Sequence, residues 1–104
     1  MNQEASVELL DIENKISKLQ DKIDNLENII SDKWSEVDSM RKGAFESHEK
    51  FFDKQQKAQD AMFRFEREKN EQIKEFKKEI SELETRKKHL NEQLFAGLDE
   101  SDDF

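Results

Sequence analysis

The chain contains no proline and only two glycines, Gly43 and Gly97. Proline breaks a helix interior, and glycine costs about 1 kcal/mol there. A compact β or α/β fold of this length needs several tight turns, and tight turns draw on those two residues. The sequence therefore predicts long helices, and long helices persist by packing on other helices.

Hydrophobic spacing supports this over residues 9–40. Counting alternately three and four, the positions are Leu9, Ile12, Ile16, Leu19, Ile23, Leu26, Ile30, Lys33, Val37 and Met40. In heptad terms Leu9, Ile16, Ile23, Ile30 and Val37 occupy a, and Ile12, Leu19, Leu26, Lys33 and Met40 occupy d. β-Branched residues at a with leucine at d favour a two-stranded parallel coil. A second stripe follows at Ile73, Phe76, Ile80, Leu83, Lys87, Leu90 and Leu94. It has the same spacing but a lysine in its seam, and it suits an antiparallel partner better than a parallel one. The expected oligomer seam is thus Ile12, Ile16, Leu19, Ile23, Leu26, Ile30 and Val37 with Ile73, Phe76, Ile80, Leu83, Leu90 and Leu94.

The segment between the stripes is different. Extending the second register backwards places Phe45, Phe52, Gln59 and Glu66 at a, and His48, Gln55, Met62 and Lys69 at d. The first register arrives at Ala44 where the second has Phe45, a slip of one residue beside Gly43. Such a slip alters supercoiling locally or marks a break between helices. Seven of the nine aromatic residues lie within the 43 positions 34–76: Trp34, Phe45, Phe51, Phe52, Phe63, Phe65 and Phe76. At about 100° per residue, Phe51 and Phe52 cannot both enter one narrow seam, so some aromatics pack laterally.

Three arrangements fit: one continuous helix that dimerises, an antiparallel hairpin bending within residues 43–58, or a bundle of such hairpins. A hairpin pairing Ile16 with Leu90, Ile23 with Leu83 and Ile30 with Phe76 bends near Asp53, where no turn residue sits. A bend at Gly43 has a turn residue but leaves unequal arms. The expected fold class is all-α, an elongated coiled coil or helical-hairpin bundle, oligomeric, with a short disordered acidic tail. Its expected divisions are a heptad helix (1–42), an aromatic-rich helical segment with a register slip (43–72), a second heptad helix (73–97) and the tail (98–104).

Composition narrows the function. Charged residues make up 42% and apolar residues 33%, where a globular domain is nearer half apolar. No apolar run is long enough to span a membrane. The polar start, Met1-Asn2-Gln3-Glu4, does not read as a secretory signal. There are no cysteines, hence no disulfide framework or thiolate chemistry, and the expected location is cytoplasmic. Gly-rich phosphate loops and nucleophile motifs are missing. The two histidines, His48 and His89, lack the Glu-x-x-His spacing of bundle metal sites. No catalytic, metal or cofactor-binding residue is expected, and the chain does not read as an enzyme.

The net charge is -8. Half of it sits in the last six residues, because the remainder carries 22 acids against 18 bases. Residues 1–33 are acidic on balance and residues 64–88 weakly basic, so the two halves attract side by side. The basic runs Lys74-Glu75-Phe76-Lys77-Lys78 and Arg86-Lys87-Lys88-His89 are diluted by nearby acids, which argues against direct nucleic-acid binding.

After Ala96, the pair Gly97-Leu98 reads as a Schellman stop. Beyond it Asp99, Glu100, Asp102, Asp103 and Phe104 form an acidic stretch with one aromatic ring. The ring suits an apolar pocket, and the acids and terminal carboxylate suit a basic rim. The run Asp99-Glu100-Ser101-Asp102-Asp103-Phe104 resembles the acidic C-terminal tips of bacterial and phage single-stranded-DNA-binding proteins, without the Ile-Pro that usually precedes the last residue. That resemblance implies docking on nucleic-acid-processing enzymes. It covers six residues, and the rest of the chain has no likeness to the OB-fold of that family. Gln93-Leu94-Phe95 looks like part of a bacterial sliding-clamp peptide, but on a helix at the wrong spacing.

The sequence thus predicts a non-enzymatic coiled-coil adaptor, partnered with itself and with a protein bearing a basic groove. The aromatics Trp34, Phe45, Phe51, Phe52, Phe63 and Phe65 serve as partner-binding residues or bundle core. Two other readings are an acidic DNA mimic that inhibits a DNA-binding enzyme, and a structural scaffold or assembly chaperone.

Overall fold

In a computed structural model the chain forms two helices, α1 (Asn2–Asp38) and α2 (His48–Asp102), joined by residues 39–47. The backbone is described for residues 2–102 and the side chains for residues 4–95. Among the described residues there is no strand. The hairpin that the glycine and proline pattern leaves open is present, with its bend around Gly43 and arms of 37 and 55 residues.

Local chemistry accounts for the bend. At the end of α1, the Ser39 backbone N–H donates to Ser35 O at 3.0 Å, and the Ser39 hydroxyl donates to Glu36 O at 3.0 Å. This ties up carbonyls that a helix end otherwise leaves unmatched. A turn follows, closed by Glu46 N–H on Gly43 O at 3.2 Å. Ser47 then caps α2, because its hydroxyl accepts from the Lys50 backbone N–H at 3.2 Å. An ion pair of 2.6 Å from Lys54 to the half-buried Glu46 holds the connection against α2.

Packing divides the chain into two units, each a stretch of α1 against a stretch of α2. One comprises Met1–Lys22 and Glu75–Phe104. Ile12, Leu19 and Leu90 are its buried side chains. Glu8 pairs with Arg86 at 2.9 Å and Glu13 with Lys87 at 3.4 Å, and the Lys22 ammonium lies 5.6 Å from the Phe76 ring centroid. The attraction expected between acidic first half and basic second half takes this form. Each exposed pair adds only about 0.2–1 kcal/mol.

The other unit is Ile23–Lys74, which contains the connection. Its buried side chains are Ile23, Met62 and Ile73, with Ile23 at 1% exposure. Burying an aliphatic side chain of this size contributes roughly 1.5–3 kcal/mol, so a few such residues with their half-buried neighbours hold each unit.

The expected stripes are buried or half-buried throughout, from Leu9 to Val37 and from Ile73 to Leu94, with Lys33 the exception. Lys33 is exposed, and Trp34 turns inward in its place. The stripe expected to join one chain to another is here buried within a single chain. The expected hairpin register is also displaced. Ile16 shares a groove with Ile80, where the sequence suggests Leu90, and Lys22 lies over Phe76. The shift is about one heptad, because the connection folds back beside α2 and the bend does not fall midway.

Neither of the two register seams meets the other inside a helix. The slip at residues 44–45 falls in the non-helical connection. At the far end α2 continues through Gly97 to Asp102, and no described glycine has a positive φ. The expected Schellman stop is therefore absent. A glycine in the right-handed region lets a helix pass through it, at a cost of about 1 kcal/mol.

Candidate docking site

Around the end of α1 the aromatic residues collect on Ile23–Lys74. Trp34 lies edge-on to Phe63, with ring centroids 5.2 Å apart and planes at 72°. This geometry sets ring edge against ring face, as the quadrupoles prefer. The Trp34 indole N–H donates to Glu66 Oε2 at 2.6 Å, a partly buried charge-assisted bond between α1 and α2. The Lys33 and Lys69 ammonium groups each lie 5.4 Å from the centroid of Phe65. The result is an edge-on aromatic pair between α1 and α2 with a carboxylate on its indole N–H, and a half-buried Phe65 flanked by two ammonium groups.

The other aromatics divide between half-buried and exposed positions. Phe51 is half-buried. Phe45 is fully exposed at 105%, Phe52 is 66% exposed and Phe63 is 56% exposed despite its contact with Trp34. The expectation that Phe51 and Phe52 part company therefore holds. A groove of about 480 Å³ runs along α2 from Phe63, lined by Glu66, Arg67, Asn70, Glu71 and Lys74. A smaller cleft of about 240 Å³ is lined by Lys33, Glu36, Val37, Ala58, Ala61, Met62 and Phe65.

Other sequence candidates are dispersed. His48 is exposed at the first residue of α2, and His89 is exposed with Nδ1 3.7 Å from Glu92. No group of three His, Cys, Asp or Glu side chains suited to a metal ion occurs among the described residues. In Gln93-Leu94-Phe95, Leu94 is half-buried and Phe95 exposed on α2. The backbone carrying Asp99, Glu100 and Asp102 belongs to α2. Their side chains, and Asp103 and Phe104 entirely, lie outside the described residues. Among the described residues no helix is long and apolar enough to cross a membrane.

Sequence reasoning assigned no role to Glu66, Lys69 or Ser47. Glu66 and Lys69 stand at a and d of the extended register, where a polar residue signals a buried partner. Ser47, placed before Phe51 and Phe52, carries an ordinary N-cap signal.

No family model matches this chain, and neither a curated protein nor a solved structure matches it.

Proposed function

We propose that the chain is a non-enzymatic interaction protein, an adaptor in which the helical hairpin carries an acidic docking segment. The observation supporting this reading is charge segregation. Acids and bases are interspersed over most of the chain from Lys15 onward, whereas residues 99–104 crowd four acids, no base and a phenylalanine into six positions. Residues 99–102 of this segment belong to a 55-residue helix whose first turn is capped by Ser47. An acidic run beside an aromatic ring suits a partner groove with a small apolar pocket and a rim of Arg or Lys. By its resemblance to the single-stranded-DNA-binding tips, that partner is a nucleic-acid-processing protein.

The test is capture from a lysate by the full chain beside Phe104→Ala and a variant with Asp99, Glu100, Asp102 and Asp103 changed to Asn or Gln. The expected outcome is loss of one partner with both variants and full retention of helicity. A partner set unchanged by both would remove the acidic segment from the function.

A further inference from the structure

On Ile23–Lys74 one outward face of α2 carries both halves of several matching pairs. Phe52 and Phe63 are eleven residues apart, three helical turns, so they point the same way. Asp53 and Arg64 are also eleven apart, beside them. Glu49 and Arg67 are eighteen apart, five turns, on the same flank. The three pairs share nearly one midpoint, at the level of Lys57 and Ala58. Lys57 and Asp60, both exposed, lie on the same face in the reverse order and are centred at nearly the same level. A face whose acids and bases are matched across one midpoint is complementary to itself when reversed.

Within the chain these groups are little used. Phe45 and Phe52 are exposed, and Phe63 is covered on one side only. Asp53 has an exposed partner in Lys57 at 3.1 Å. Glu49, Arg64 and Arg67 are exposed and form no ion pair among the described residues.

We propose that this face is a self-association surface on which two copies pair antiparallel about a two-fold axis at Lys57–Ala58. Phe52 of each copy meets the partner's Phe63. Glu49 and Asp53 meet the partner's Arg67 and Arg64. This pairing uses none of the acidic segment and does not depend on the docking proposal.

Charge reversal tests it. The full chain is expected to sediment at twice its 12.4 kDa mass, falling to the single mass on dilution as Trp34 emission shifts to the red. Glu49→Arg/Asp53→Arg sets bases at both ends of the face, and Arg64→Glu/Arg67→Glu sets acids at both ends. Each variant alone is expected at half the wild-type mass with unchanged helicity, and an equal mixture is expected to recover the twofold mass. As a second readout, Phe52→Cys chains mixed with Phe63→Cys chains are expected to form the mixed disulfide in preference to either homodimer. A monomeric wild type, charge variants that still self-associate, a mixture that stays monomeric, or an assembly that grows beyond two copies would each overturn the proposal. A foreign protein bound to this face of a monomeric chain would also count against it.

Discussion

Trp34 is held by a ring edge on one side and a carboxylate on the other, and this arrangement defines its energetics. Its N–H donates to Glu66 in partly buried surroundings. Glu66→Ala leaves that donor poorly matched and is expected to cost about 1 kcal/mol, because a lost partner carries the desolvation penalty of the group left behind. Urea unfolding followed by Trp34 emission reads the loss directly, since this is the chain's single tryptophan. Ile23 presents the opposite case, an aliphatic side chain at 1% exposure. Ile23→Asp is expected to destabilise by about 3 kcal/mol or more. Leu10→Asp, on an exposed position of the same helix, is expected to stay within about 0.5 kcal/mol. Equal effects at the two positions, measured by circular dichroism in urea, would mean that the stripe is not what holds the chain.

At the scale of the helix, start and stop signals have unequal reliability. Ser47→Ala removes the hydroxyl that caps α2 and is expected to cost about 1 kcal/mol, seen as a lower urea midpoint. Gly97 behaves as a residue inside α2, so Gly97→Ala is expected to raise helicity, with a gain of up to about 1 kcal/mol. A Schellman cap at this position would give the reverse sign, because alanine resists the left-handed region. The stripes from Leu9 to Val37 and from Ile73 to Leu94 were legible because burial imposes a 3–4 spacing that charges cannot imitate. Their mutual register was not legible. A stripe slid by one heptad still sets apolar against apolar, so the layers alone do not choose. The choice is made by contacts such as Trp34 with Phe63 and Glu66, or Lys33 with Phe65. These join residues about thirty positions apart and leave no local signature. The aromatic cluster was legible as a density of rings. Which rings turn outward depends on where α1 ends, and Ser39 and its neighbours decide that.

For the whole molecule, the location of its bases predicts how it yields to a protease. Among all its lysines and arginines only Arg41 and Lys42 lie outside α1 and α2. Helical backbone must open locally before a protease can bind it, whereas an exposed connection need not. Brief trypsin treatment is expected to cut at these two positions first, giving two fragments that mass spectrometry identifies as the helices. Early cleavage inside either helix would mean that the unit containing it opens as readily as the connection.

That connection also sets how the helices find each other. It contributes no buried apolar side chain, so its chief service to α1 and α2 is to hold them at a high effective concentration. Once cut at Arg41, the molecule becomes a split protein whose halves stay joined only by contacts between the helices. Its melting temperature would then depend on dilution, as for any reversible two-part assembly. Separately made pieces covering the two helices should recombine on mixing, and the strength of that recombination would measure the helix–helix interface without its tether.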